Sequence, residues 1–426
     1  MNTASAQAAT IAGTISPAQY RKEVGLISAG HALTHWYPAT FYLLLPLIGK
    51  ELGLSYTEIG FILTVQHVVG AIANLPGGMV VDAYGKKGYL LVLSLLWIGI
   101  PYAVMSLTSS YGVLLVCMAL VGIGNNIWHP AAIPTLAYRY PSRKGFVLSL
   151  HGMGGNLGEA LAPLVVGALL TWFSWRTVVV LNVVPGIVMA ALILIMLGAF
   201  SVAKSGSPDD THDINAKAAA PWSAKQYFAG LASLLRNKAL ILVSLTSMFR
   251  TLTQVGLLTF LPLYLAYELG YNLFLVGVCM AVLQIAGFAA SPFAGHLSDI
   301  WGRRRVVMSS MMLTGVTIVC MVFAGKTIWF VIFVALVGSF LYAMRAVLQA
   351  WALESTPRHL AGTGVGVQFC ITAIGGGIAP VLFGSIADAH GLQTAFYGLA
   401  VTIVLGNLLV LFVPDTDAAA KNSRAK

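Results

Sequence analysis

The sequence predicts an all-α membrane protein, twelve transmembrane helices in two pseudo-symmetric six-helix bundles, and three observations carry that expectation. Charged residues make up 9% of the 426-residue chain and hydrophobic ones 58%, whereas a soluble domain carries about 25% charged residues. Most of the surface must therefore meet lipid. Apolar runs long enough to cross a ~30 Å hydrocarbon core as helix, roughly 20 residues each, recur from Glu23 to Val413. The chain also repeats itself: Glu51-Leu52-Gly53 returns 217 residues later as Glu268-Leu269-Gly270, Gly78 to Asp82 as Gly295 to Asp299, and Pro163 as Pro380. One offset held across three separate helices marks two parallel halves, which place a substrate cavity at their interface near the bilayer midplane.

In order, the expected spans are 23–48, 57–81, 88–107, 111–137, 145–172 and 177–199 in the first bundle (23–199). The second bundle (238–413) holds 239–266, 273–298, 306–324, 328–352, 361–387 and 393–413. Residues 200–237 are polar, with Gly, Pro, Asp and Lys, and read as a linker. Its last part spaces Trp222, Tyr227, Leu231, Leu234 and Leu235 at helical intervals, the pattern of a helix lying in the membrane interface. Residues 1–22 and 414–426 read as tails, and the first of them lacks the basic, apolar, small-residue order of a signal peptide.

Orientation follows from the basic residues, which accumulate on the cytoplasmic side. Arg21, Lys22, Lys86, Lys87, Arg139, Arg143, Lys144, Arg303, Arg304, Arg305 and Arg358 fall in one set of loops, with the linker and the C-terminal tail. Only Lys50, Arg176 and Lys326 fall in the other. Both termini are expected in the cytoplasm of a bacterial cell, with the protein in the inner membrane. The net charge of +10 is thus a topological signal, and no nucleic-acid partner is expected. Cys117, Cys279, Cys320 and Cys370 lie inside apolar runs without ligand-like spacing and read as small hydrophobes.

After the second span comes Gly78-x-x-x-Asp82-x-x-Gly85-Lys86-Lys87, and after the eighth Gly295-x-x-x-Asp299-x-x-Gly302-Arg303-Arg304-Arg305. Both resemble the G-x-x-x-D-R-x-G-R-R signature of the major facilitator superfamily. The resemblance implies the major facilitator fold, transport by alternating access, and a gating role for Gly78, Asp82, Gly85, Lys86, Gly295, Asp299, Gly302 and Arg303. Ala83 and Ile300 stand where that family has an arginine, so a latch relying on that arginine does not carry over from the resemblance. A narrower stretch, Gly122-Ile123-Gly124 with His129-Pro130, then Gly154-Gly155-Asn156 with Gly158, Glu159 and Pro163, resembles the fosmidomycin-resistance group of drug exporters, as does Gly30-His31. That likeness implies proton antiport without fixing a substrate. The glycines also have a plain reading, since small residues let helices approach closely in lipid.

Ionisable groups inside the spans are His31, His35, His67, His129, His151, Glu159, Arg250 and Arg345. Each charged one would cost about 2.5–3.5 kcal/mol at a lipid-facing helix centre, so they should face a cavity or one another. Arg250 and Arg345 suit an anionic substrate, because guanidinium pairs with carboxylate or phosphate in a bidentate fork; the plainer alternative is a pair of structural cations. His31 and His35 are one turn apart, and Asn125 and His129 repeat that spacing. His31, His35 and His129, with Trp36, Tyr37, Gln254 and Gln284, are expected to line the substrate cavity. Glu159, His151 and His67 are expected to carry protons, imidazole titrating near physiological pH. The repeat aligns His67 with Gln284, His129 with Arg345 after a one-residue slip, and His151 with Gln368.

The expected function is secondary active transport: proton-coupled export of small, anionic organic compounds or drugs by a monomer, with substrate, protons and the bilayer as partners. The alternative is a proton-coupled importer of a carboxylate or similar anion. A transition-metal carrier has less behind it, since the chain has neither a thiolate cluster nor a His-rich loop; no metal and no cofactor are expected. Gly325-Lys326-Thr327 superficially resembles a phosphate loop, but Cys320 stands where the first glycine belongs. No enzyme chemistry is expected.

Overall fold

The computed structural model describes residues 16–83, 86–140, 143–198, 224–357 and 360–414, without the side chains of 17, 74–83, 138, 224–228, 361 and 362. Gly85 and Trp222 therefore lie outside the described residues, as do most of the tails and linker, and nothing is said of the Asp82 side chain.

The described chain is built of α-helices. The first six are α1 (Pro17–Leu52), α2 (Tyr56–Ala83), α3 (Lys87–Met105), α4 (Tyr111–Arg139), α5 (Lys144–Leu169) and α6 (Trp175–Met196). A short α7 (Ala224–Leu235) precedes α8 (Lys238–Leu263), α9 (Leu273–Trp301), α10 (Arg303–Ala324), α11 (Ile328–Glu354), α12 (Ala361–His390) and α13 (Leu392–Val410). Side chains at several helix starts accept the orphan backbone N–H groups: Ser16 from Gln19, Ser174 from Thr177, Asn237 from Leu240 and Asn272 from Leu275. A turn of π-helix, Tyr264–Glu268, extends α8. Gly302, at φ 88°, separates α9 from α10, a conformation only glycine adopts without strain. Between the expected interfacial residues, α7 forms as a 12-residue helix whose Leu234 is buried against the second bundle.

Ten of the twelve long helices carry a stretch apolar enough to cross a membrane; among the described residues α1 and α5 fall short. Those two hold His31, His35, His151 and Glu159, and they pack along each other's length. Their polarity is thus turned inward, where lipid does not reach it.

The 217-residue repeat reappears as packing. In the first bundle α1 lies on α5, α2 on α4 and α3 on α6; in the second, α8 lies on α12, α9 on α11 and α10 on α13. The halves meet through two equivalent pairs, α2 with α12 and α5 with α9. At the first crossing Gly60 abuts the carbonyl of Pro380, and at the second Gly277 abuts that of Pro163, so a Cβ at either glycine would collide with backbone. Each residue in one contact sits 217 positions from its counterpart in the other. The prolines and glycines shared by the two halves are the two ends of one repeated helix crossing.

Hydrogen bonds across this interface run from the midplane to the face opposite Lys86, Arg143 and Arg303. Thr64 Oγ1 donates to Gly377 O at 2.7 Å, and Tyr267 OH donates to Pro46 O at 2.5 Å. At the end of α12 the Asp388 carboxylate accepts from Tyr56 N at 2.8 Å, Thr57 N at 2.9 Å and Thr57 Oγ1 at 2.5 Å, capping α2 from the other bundle. A carboxylate at a helix N-terminus is favoured by charge as well as by hydrogen bonding. The halves are clamped on that face.

Losing a cap costs about 0.5–2 kcal/mol, so Asp388→Ala should shift several-fold toward conformers parted on the clamped face. Spin labels at Ser109 and Lys326 would report it as a longer distance component, and an unchanged distribution would rule out a role for this clamp.

Candidate functional site

Within the second bundle lies a cavity of about 220 Å³ lined by Ser247, Arg250, Gln254, Arg345, Gln349 and Gln368 among others. Its walls come from α8, α11 and α12, and several of these residues lie within a few turns of the helix ends on the basic face. Deeper, a smaller pocket of about 40 Å³ is bounded by His35, Tyr42, Glu159, Pro163, Met280 and Gln284, drawn from both bundles.

The two arginines differ in their surroundings. Arg250 is 5% exposed; its Nε donates to Leu341 O at 3.0 Å and its Nη2 to Gln254 Oε1 at 2.6 Å. Much of its donor capacity is spent inside the bundle. Arg345 is exposed to the cavity, and among the described residues it forms no ion pair or hydrogen bond. A guanidinium has five donors in a planar fork, so Arg345 presents open donors to the cavity and Arg250 is the buttressed wall beside it. Gln254, expected to line the cavity, does so while orienting Arg250.

Glu159 is held from both halves. His35 Nδ1 lies 2.7 Å from its Oε1, and Gln284 Nε2 donates to its Oε2 at 3.1 Å. The His35 and Glu159 side chains remain 24% and 28% exposed, and both line the smaller pocket. Arg345 acts on Glu159 electrostatically from across the interface.

Around His35 the other histidines collect. His31 Nδ1 donates to His151 O at 2.6 Å, His31 Nε2 faces His129 Nε2 at 3.0 Å, and the His31 and His151 rings stack with centroids 3.8 Å apart. Gly155 makes room: a Cβ there would lie 2.7 Å from His31 and 3.0 Å from His35.

Other expected site residues lie elsewhere. Tyr37 is fully buried, its ring against Tyr102 of α3 and its OH against Gly186 of α6, so it belongs to the core of the first bundle and does not line the cavity. Trp36 donates to Asn182 Oδ1 of α6 at 2.5 Å, facing away from the arginines. Both corrections have one cause: on α1, residues 36 and 37 are rotated by one or two helical steps from the face that carries His31 and His35. His67 lies where α2 meets α12, beside Gly376, apart from the histidine group. The second gating motif closes within its own bundle: Arg303 pairs with Asp299 at 2.6 Å and with Glu354 at 2.9 Å, tying α9, α10 and α11. Lys86, of the first motif, lies over the Tyr89 ring at 5.8 Å. Asp388 and Asn182 went unnoticed in the sequence; each is an ordinary polar residue whose partner is far away in the chain, and Thr171, the repeat counterpart of Asp388, gives no hint of it.

Two symmetry-related bundles of apolar helices, clamped together on one face and holding charged pockets within the membrane-spanning region, define a membrane transporter. The family model for the Major Facilitator Superfamily matches residues 27–291 and 243–426, and the chain belongs to that family. A protein of Cupriavidus necator described as a "probable sulfoacetate transporter" is 26% identical, over 88% of this chain and 90% of its own length. The fosmidomycin resistance protein of Escherichia coli is 22% identical, over 92% of each chain. The crystal structure of a bacterial homologue of the human lysosomal transporter Spinster, in an inward-facing conformation, superposes with a TM-score of 0.79 at 15% identity, covering 92% of this chain and 96% of its own. That likeness establishes the fold.

Because Arg250 serves the bundle and Arg345 the cavity, their variants should separate. Arg250→Gln should lose about 1.5–3 kcal/mol of stability through its charge-assisted hydrogen bonds, whereas Arg345→Gln should stay within about 0.5 kcal/mol of the parent, as a substitution away from such features does. Thermal unfolding in detergent distinguishes them; equal losses would contradict the division of roles.

Proposed function

We propose that the protein is a proton-coupled carrier of small organic anions that works by alternating access, with Arg345 as the anion receptor and Glu159 as the proton site. The open guanidinium of Arg345 in the cavity walled by α8, α11 and α12 is the observation that carries this reading. The relative described as a sulfoacetate transporter supports it, since sulfoacetate is a small anion with two groups that fit a guanidinium fork. By the distribution of basic loops, the clamped face is periplasmic and the cavity is reached from the cytoplasm.

Coupling follows from electrostatics. Arg345 favours the ionised form of Glu159, and a bound anion takes up that positive charge. The carboxylate, still inside a low-dielectric pocket, then gains from a proton. Anion and proton reinforce each other's binding, by the same factor in each direction, which is the logic of symport. Once neutral, Glu159 keeps a weaker hydrogen bond to Gln284, charge-assisted bonds being about twice as strong as neutral ones, and the α5–α9 crossing is freer to part.

Export of a drug-like anion by proton antiport is the second reading, favoured by the likeness to the fosmidomycin resistance protein. It requires proton and substrate to compete.

Proteoliposomes loaded with a pH dye and offered sulfoacetate, hexuronates and a phosphonate test both. Arg345→Gln should raise KM at least tenfold, the equivalent of about 1.4 kcal/mol, and Glu159→Gln should abolish anion-driven proton movement while keeping anion binding. Inward anion flux accelerated by an inward proton gradient supports symport, and outward flux driven by that gradient supports antiport. An Arg345→Gln carrier with unchanged KM would remove the anion receptor.

A further inference from the structure

The histidine group has a property that neither anion binding nor proton transfer through Glu159 uses. One ring nitrogen from each of His31, His35 and His129 lies within 4.8 Å of one from each of the others. In each ring the second nitrogen is already engaged. His31 Nδ1 must carry a proton, because it donates to a carbonyl, that of His151. His35 Nδ1 faces the Glu159 carboxylate. His129 is bonded to the backbone of Asn125, one turn back on α4. Neutral imidazoles held in this way present their remaining nitrogens as lone pairs. The Nε2 atoms of His31 and His129 face each other at 3.0 Å, so the His31 Nε2 lone pair is aimed at the other ring, where a cation bridging the two nitrogens would be held.

We infer that His31, His35 and His129 form a binding site for a first-row divalent transition ion such as Zn2+. Metal-ligating histidines characteristically donate their other N–H to a carbonyl or carboxylate, which fixes the tautomer and raises ligand basicity; here His151 O and Glu159 supply those acceptors. At a Zn–N distance of about 2.0–2.1 Å, two tetrahedral ligand nitrogens stand roughly 3.3–3.4 Å apart. The His31–His129 spacing of 3.0 Å is a few tenths of an ångström short of that, and no spacing in the group exceeds it by more than about 1.4 Å, within reach of small ring rotations. Three imidazoles leave a fourth position for water or an anion, and they suit zinc, nickel or copper over calcium or magnesium, which prefer oxygen. The missing residue in sequence was His129: His31 and His35 form a bare pair until α4 brings the third nitrogen to them.

The ion would tie α1 to α4 and fix His35, so it should inhibit proton-coupled flux. The site stands apart from the anion-transport reading, because binding is measured without substrate or flux.

The test uses purified, tag-free protein in detergent. Co2+ should give the visible d–d absorption of a four-coordinate nitrogen site at one equivalent, and Zn2+ should displace it. His129→Gln and His31→Gln should each weaken Zn2+ binding at least a hundredfold by calorimetry. Glu159→Gln, which leaves all three ligands in place, should weaken it about 10–100-fold as an outer-shell change does, and His67→Ala should leave it unchanged. Circular dichroism and gel filtration identify variants that fail to fold, and His31→Asn then serves as a second variant. An absent Co2+ spectrum, or one unaffected by loss of His129, would mean that only a proton is shared between the rings and would overturn the site.

Discussion

The cost of placing polar and charged groups in lipid organises this molecule. The two long helices without a stretch apolar enough to cross a membrane, α1 and α5, carry His31, His35, His151 and Glu159, and they solve the problem by packing on each other with those groups turned to the interior. The pairing is completed only from the other bundle, where Gln284 supplies the second donor to Glu159. A carboxylate that needs both halves to be satisfied is also a carboxylate that registers whether the halves are together. Stability and the proposed coupling therefore draw on the same hydrogen bonds.

The repeat makes such a device possible. Gly60 against Pro380 and Gly277 against Pro163 are one crossing written twice, and they bring α5 to α9 as closely as α2 to α12. The symmetry is then broken chemically. The first bundle contributes imidazoles and a carboxylate, the second two guanidiniums and amides, with His129 and Arg345 at nearly equivalent places in α4 and α11. The groups proposed to take the proton and the anion thus line two pockets, Glu159 the smaller and Arg345 the larger. The clamp from Asp388 to the start of α2 is a second asymmetry, on the face away from the cavity mouth.

The helical fold and its internal symmetry were legible because lipid imposes length and hydropathy on every span and because Glu51, Gly78 and Pro163 recur at one offset. α1 extends six residues before its expected start because Ser16 caps it beyond the apolar run. Glu159, Arg250 and Arg345 were legible by cost alone, as charges with nowhere to go in lipid. What cost does not reveal is which face of a helix a residue occupies. Trp36 and Tyr37 neighbour His35 in sequence yet point into the first bundle, and Arg250 and Arg345 look alike in sequence although one is bonded internally and the other is open. Contacts such as Trp36 with Asn182 or Tyr56 with Asp388 join residues far apart in the chain, and no local pattern announces them.

The coupling between Arg345 and Glu159 is most directly tested by the protons exchanged when an anion binds to purified protein in weakly buffered detergent. The account predicts that sulfoacetate, or whichever anion the carrier accepts, binds with net proton uptake, and that the uptake disappears in Glu159→Gln. Proton release on binding, or uptake that persists without Glu159, would contradict it.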